Sequence, residues 1–326
     1  MKGRRFNKRT APRKSVFCGP GRAGDFFIGT HLSANAEGMY PHMLIEDASI
    51  RIMPIGGQSN REDFSVRISP KSDPFEEALA NCIARRQWPE TLASAVCDFF
   101  HDAMRRAMYF GHAPYELVPD QEDSEETPGL FLVDIYPASF VKALGRPHQV
   151  IPKRMAKELG RSRLVALDPE NTFVFGLPKK YGSERMLTLF QLRRLSKDLL
   201  PKFGIEAASR ASNVPFSLEE FYRTQRMALG KAALPYGWDG RRLLDDATVE
   251  FYQLERFLSF QRFLAECRAG FLFELNRIAQ RVGGALGFEG RVDVLGLPTV
   301  EDVNEALSRL RSGSCAFGDV LKPFVD

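Results

Sequence analysis

The chain has 326 residues, 44% hydrophobic and 26% charged, which is the make-up of a globular protein with room for two or three subdomains. Its net charge of +4 is too small and too uneven for a chain that binds nucleic acid along its whole length, because Lys2, Arg4, Arg5, Lys8, Arg9, Arg13 and Lys14 carry much of it and meet no acid. The cysteines, Cys18, Cys82, Cys97, Cys267 and Cys315, are odd in number and lack a CxxC pair, which argues against a disulfide framework or a zinc site; no apolar run reaches the roughly 18 residues of a membrane span, and Arg22 and Asp25 interrupt any signal-peptide core.

Residues 1–15 read as a basic arm that stays in solvent, or touches nucleic acid or a neighbour's acidic patch. Residues 16–72 are rich in Gly, Pro, Ser and Asn. They predict an irregular β region with strands at Ser49-Ile50-Arg51-Ile52-Met53 and Phe64-Ser65-Val66-Arg67-Ile68. Asp73-Pro74-Phe75-Glu76 has the residues of a helix start. After Pro89, the spacing of Leu92, Val96, Phe99, Ala103, Ala107 and Phe110 predicts a helix with one apolar face, which Gly111 can stop in the left-handed conformation. Tyr115-Glu116-Leu117-Val118 alternates like a half-buried strand, and residues 130–136 read as its partner. Between them, 120–126 hold five carboxylates, the make-up of a solvated hairpin tip.

Residues 137–157 are mixed and basic, with a short helix over 152–159. Strands at 162–167 and 172–177 flank the turn Asp168-Pro169-Glu170-Asn171. Ser183 is a candidate cap for a helix with Leu187, Phe190, Leu192, Leu195, Leu199 and Leu200 inward; its other face carries Arg185, Arg193, Arg194, Lys197 and Lys202. Ser217-Leu218-Glu219-Glu220 is a capping-box sequence, and its helix breaks down in the Gly- and Pro-punctuated 229–242. A long helix follows from Asp246 to about Val282. Its aromatics, Phe251, Tyr252, Phe257, Phe260, Phe263, Phe271 and Phe273, lie on more than one face. A strand at 292–295, a helix capped by Thr299 and ended by Ser312-Gly313, and a short terminal helix complete the chain.

No constellation of residues for chemistry emerges. The histidines, His31, His42, His101, His112 and His148, form no ligand-spaced pair, and His101 is placed on the exposed side of its helix. Asp120, Asp134 and Tyr136 only faintly match a metal-dependent nuclease, because Tyr136 stands where such a site needs Lys. No catalytic, cofactor-binding or metal-binding residue is therefore expected.

The order of elements resembles tailed-bacteriophage portal proteins, the rings at the capsid vertex through which DNA is packaged. The resemblance is carried by Phe99-Phe100…Tyr109-Phe110-Gly111…Tyr115-Glu116-Leu117-Val118, by Leu132-Val133-Asp134-Ile135-Tyr136-Pro137 and by Leu167-Asp168-Pro169-Glu170. It continues through Lys179-Lys180-Tyr181-Gly182-Ser183, Leu275-Asn276-Arg277, Leu286-Gly287, Asp302-Val303 and Leu310-Arg311-Ser312-Gly313, and spans roughly 75–320.

The resemblance implies an α+β, mainly helical fold. Its parts would be wing helices and hairpin over 73–148, a clip-like β region over 149–182, a stem helix over 183–204, a linker and candidate tunnel loop over 205–245, and a long wing helix and C-terminal region with a reduced crown over 246–326. It implies a non-enzymatic ring, a dodecamer, in the virion but made in the host cytoplasm. Its partners would be the large terminase motor, the major capsid protein, a neck or adaptor protein and double-stranded DNA in the channel, with no membrane and no cofactor. On this reading Arg193, Arg194, Lys197 and Lys231 are candidate DNA or partner contacts, and Phe260 and Phe263 candidate subunit-interface residues. The rivals are another head-tail connector or neck protein and, from a different class, a nucleic-acid-modifying enzyme using the arm and the 185–202 face.

Overall fold

The structure, a computed structural model, describes residues 14–16, 38–55, 64–84, 91–119, 130–198, 218–241, 249–314, 316–322 and 324. Among these the fold is α+β and mainly helical, as expected. The chain divides into two compact units. The first comprises Met1–Leu32, Ser49–Leu177 and Cys267–Leu297, and the second Ser33–Ala48, Pro178–Glu266 and Pro298–Asp326.

In the first unit, α2 (Asp73–Ile83) and α3 (Leu92–Phe110) lead into β2 (His112–Pro119). Thr91 caps α3 by accepting from Ser94 N at 3.1 Å. Gly111, at φ 90°, stops it with its N–H on Ala107 O at 2.7 Å, the left-handed cap that the sequence predicts. β2 is the centre of a three-stranded sheet between β3 (Leu130–Asp134) and β7 (Thr172–Gly176), antiparallel to both, with Tyr115 opposite Asp134 and Phe173. Phe99 of α3 lies on this sheet, 5.2 Å from the Tyr115 ring and 4.9 Å from Phe175. Phe271 completes the cluster at 5.4 Å from Phe175 and 5.7 Å from Phe100. These rings are fully buried and form the unit's core.

A second sheet has the order β4 (Phe140–Ala143), β5 (Arg146–Val150), β6 (Leu164–Ala166), with α4 (Lys153–Glu158) in the connection from β5 to β6. The sequence reading did not contain the β4–β5 hairpin. Its two-residue turn is Leu144-Gly145, both at positive φ (51° and 74°), and leucine in the place usual for Asn hides the signal. The strands around Asp168–Asn171 form, but they do not pair with each other: β6 joins β5 and β7 joins β2. The predicted strand at 49–53 is not one. The helix α1 (Met39–Arg51) covers its start, because Tyr40, Leu44, Ile45 and Ala48 share a buried helical face that outweighs the short alternation. β1 (Ser65–Ser69) does form and pairs with β8 (Arg291–Leu295), more than 200 residues away.

The second unit contains α5 (Lys179–Asp198), α6 (Leu218–Ala233), the first part of α7 (Glu250–Leu286), α8 (Val300–Ser312) and α9 (Phe317–Leu321). α5 begins four residues before Ser183, whose hydroxyl bonds Lys180 O inside the helix instead of capping it. Thr299 and Asp302 form a complete capping box, and Val303, Ala306, Leu307 and Leu310 are the buried face of α8. They meet Leu254 and Leu258 of α7 and Val320 and Phe324 near the terminus.

Candidate functional site

The residues singled out in the sequence do not form one surface. On α5 the buried side is Tyr181, Arg185, Thr188, Leu189, Leu192 and Ser196, and the exposed side includes Leu187 and Phe190. The expected orientation is therefore wrong for Leu187, Phe190 and Arg185. Leucines stand on both sides of this helix, so apolar spacing alone did not identify the inner face. Arg185 is 4% exposed. Burial lowers its pKa, with Tyr236 acting in the opposite direction. Neighbours on a helix point about 100° apart, so Arg193 and Arg194 diverge: Arg193 is half-buried, while Arg194 is exposed with its guanidinium 5.9 Å from the Phe190 ring. The Lys197 side chain lies outside the described residues, and Lys231 is exposed on α6. Among the described side chains of α5, Arg185, Arg193 and Arg194 do not share one exposed basic face.

Phe260 and Phe263 are 2% and 0% exposed within this one chain. Phe263 meets Tyr181 at 4.7 Å and Tyr236 at 4.9 Å, and the Tyr236 hydroxyl donates to Tyr181 O at 2.9 Å. Rings so enclosed have no surface left for a neighbouring subunit, so their assignment to an interface is corrected to core. The aromatics that α7 does expose are Tyr252 and Phe273, at 55% and 65%.

The candidate tunnel loop is not a free loop over 229–241. α6 continues to Ala233, a 3-10 turn follows at Leu234–Tyr236, and Trp238 is buried. The Trp238 indole donates to Asp47 at 2.7 Å, and Arg241 donates to the same carboxylate at 2.9 Å. Gly237, at φ 69°, lies so close to α7 that a Cβ there would be 2.6 Å from Phe260 N and 2.7 Å from Arg256 O.

The most specific arrangement in the first unit was not anticipated from sequence. Glu116, read as an outward residue of a half-buried strand, is 3% exposed, because β2 is covered on both faces. Its carboxylate accepts from Lys14 N at 3.0 Å, from Ser15 N at 2.9 Å and from the Ser15 hydroxyl. Gln149 of β5, 0% exposed, holds the next residue from both sides: its Oε1 accepts from Val16 N at 2.5 Å and its Nε2 donates to Val16 O at 2.6 Å. The Val16 side chain lies against Ile151, Ala156, Met155, Tyr136 and Val165. Arg161 adds a contact to Lys14 O at 3.4 Å. A glutamate in the middle of an apolar strand was the available signal, since a buried carboxylate needs donors.

Around this clamp, residues 140–166 expose seven cations, Lys142, Arg146, Lys153, Arg154, Lys157, Arg161 and Arg163, against one acid, Glu158. Arg154 already pairs with Glu158 at 2.9 Å.

His101 is half-buried, not exposed, and its Nε2 bonds Met53 O at 2.9 Å. The Asp134 carboxylate is engaged by Arg106 at 2.5 Å. Burial works against the Arg106 charge, but Tyr115, Asp102 and Asp134 outweigh it and raise the pKa. Asp120 and the acidic stretch 120–126 lie outside the described residues. Among the described residues, no group of three or more His, Cys, Asp or Glu side chains is arranged to hold a metal ion, and no helix is long and apolar enough to cross a membrane. Cys82, Cys97 and Cys267 are buried.

No protein-family profile matches the chain, and no curated protein sequence matches it. Among solved structures it is similar to an HK97 family phage portal protein from Corynebacterium diphtheriae, at 10% identity and a TM-score of 0.40, over 85% of this chain and 94% of that one. It is also similar to a chain of the virion of a native gene transfer agent particle, at 13% identity and a TM-score of 0.43, over 93% of this chain and 90% of that one.

Proposed function

We propose that this chain is a portal subunit of a tailed bacteriophage or a related particle, a structural protein that assembles into a ring at the capsid vertex. The observation that carries the reading is the order of elements along the chain. A helix stopped by Gly111 enters a β2–β3 hairpin, a small sheet with a basic helix follows, then a 20-residue helix and a 37-residue helix. This is the order that the resemblance of the sequence implies. On this reading α3 and the β2–β3 hairpin belong to the wing, the β4–β5–β6 module with α4 is the clip, α5 is the stem, α7 is the spine of the wing, and the crown is reduced. Tyr252 and Phe273 of α7 are the apolar side chains offered to neighbouring subunits.

The work of such a ring is steric and electrostatic. Double-stranded DNA passes through its centre while a separate motor, the large terminase, hydrolyses ATP. The major capsid protein surrounds it and a neck or adaptor protein joins it to the tail. A closed ring gives every subunit a heterologous interface on both sides without growing into filaments.

Native mass spectrometry and particle imaging of the purified protein test the reading. The expected result is a ring with a central hole and a mass that is a whole multiple of 36.8 kDa, twelvefold in the implied case. A monomer at every accessible concentration, also with capsid and scaffold proteins present, would overturn it, and so would metal-dependent cleavage of DNA.

A further inference from the structure

We propose that the tip of the β4–β5 hairpin is a docking knob for an acidic protein. Leu144 seats on an apolar patch of that partner, and Lys142 and Arg146 meet carboxylates at the rim of the patch. The starting observation is a backbone outlier. Leu144 has φ 51°, in the left-handed region where a Cβ crowds the backbone, and Gly145 beside it has φ 74°. Asn, Asp or Gly holds such a turn with less strain. Leu144 is also 103% exposed, so no packing within this chain offsets the strain. Single exposed leucines are ordinary on a protein surface. A leucine that is strained, fully exposed and at the tip of a hairpin is not, and such outliers gather at sites that bind.

The tip stands on a firm root. Phe140 is buried in one cluster with Ile135 and Leu167, and its ring lies 5.5 Å from that of His112. Leu167 N donates to Pro147 O at 3.0 Å, and Gln149, 0% exposed, donates to the Ser139 hydroxyl at 3.2 Å. The knob is therefore presented without a loop to order, which removes one cost of binding. Strand alternation puts Lys142 on the face of Phe140 and Gln149, and Arg146 on the opposite face with Ala143. The two exposed cations thus flank Leu144 on both faces of the hairpin, and neither has an ion pair among the described residues.

Charge fixes the sign of the partner. Residues 140–166 expose seven cations against one acid, Glu158, which Arg154 already holds at 2.9 Å. The leucine fixes its class. Against a duplex, Lys142 and Arg146 would find phosphates, but Leu144 would face a hydrated and charged backbone. A protein surface offers carboxylates and an apolar patch together, the usual pairing of a polar rim with an apolar centre. The inference goes beyond the portal reading and needs no ring, because one subunit carries the whole knob, so probe binding and ring imaging fail independently.

The test is fluorescence-anisotropy titration of the full chain against labelled probes at about 50 and about 200 mM salt. The probes are an amphipathic peptide of Glu and Leu with its leucines on one helical face, poly-glutamate, and a short DNA duplex. The wild-type chain should bind the Glu/Leu peptide about five- to tenfold more tightly than poly-glutamate, the gain from partly burying one leucine. Leu144→Asn and Leu144→Ala should each lose that advantage and leave poly-glutamate binding unchanged. Asn relieves the turn and Ala keeps its strain, so an equal loss in both assigns the effect to the side chain. Lys142→Gln/Arg146→Gln should weaken both acidic probes about three- to tenfold at the lower salt and much less at the higher.

Wild-type affinity for the Glu/Leu peptide in either leucine variant overturns the knob. So does a wild-type chain that binds the Glu/Leu peptide no more tightly than poly-glutamate, or binds neither. A duplex bound more tightly than the Glu/Leu peptide at both salt concentrations would assign the tip to nucleic acid and overturn the acidic-protein partner.

Discussion

Replacing Phe263 with Ser separates a core helix from an interface helix. The ring is 0% exposed and lies edge-on to Tyr181 and Tyr236 at 4.7 and 4.9 Å. Deleting a buried Phe side chain costs about 3–5 kcal/mol through lost transfer free energy and the cavity left behind. A serine hydroxyl stranded in that cavity adds roughly 1 kcal/mol or more. A total of about 4–6 kcal/mol is a large part of the roughly 5–15 kcal/mol that keeps a domain folded. Phe263→Ser should therefore lose near-ultraviolet circular dichroism and amide-exchange protection in α5 and α7, and aggregate on heating well below the wild type. Phe273→Ser is the matched control. Its ring is 65% exposed, so stability should change by no more than about 0.5 kcal/mol while ring assembly weakens. Hydrogen exchange followed by mass spectrometry, alongside sedimentation of both variants, reads the two effects separately. A Phe263→Ser chain with wild-type protection and only its assembly lost would refute the assignment of this ring to the core.

Three further substitutions follow from local geometry. Gly237→Ala places a methyl group 2.6–2.7 Å from the α7 backbone at a φ of 69°, so chemical denaturation should show a loss of at least about 2 kcal/mol. Leu144→Asn, at a fully exposed turn position with φ 51°, exchanges a strained residue for one that tolerates the left-handed region; a thermal melt should show a gain of about 0.5–1 kcal/mol, and an unchanged midpoint would count against strain there. Asp47→Ala leaves the buried Trp238 indole without its acceptor and Arg241 without its carboxylate. About 2–4 kcal/mol should be lost, discounted because Arg241 is 39% exposed, and Asp47→Asn should recover part of it. Tryptophan fluorescence under denaturant follows both Asp47 variants, and equal stability of Asp47→Ala and wild type would remove the indole bond from the account.

What the sequence by itself determined lies within a few residues of each signal. Gly111 ends α3 and Thr299 opens α8, because caps and stops satisfy backbone groups three or four positions away. Val303, Ala306, Leu307 and Leu310 are the buried face of α8, where charged residues leave only one apolar stripe to choose. The antiparallel pairing of β2 with β3 was legible from two alternating runs flanking a carboxylate-rich stretch of sequence. Where two descriptions of a segment competed, tertiary contacts decided. α5 carries leucines on both sides, and burial of Tyr181 and Leu192 left Leu187 and Phe190 outside. Residues 49–53 alternate like a strand, yet α1 reaches Arg51 because its helical face was the one with a core to enter. Pairing β1 with β8, and sending β6 and β7 to different sheets, joins residues far apart in the chain, and nothing in either strand names its partner. The clamp on Lys14–Val16 is of the same kind. Glu116 and Gln149 look like ordinary polar residues until the fold buries them, and only then do they require the donors and the acceptor that the distant N-terminal segment supplies.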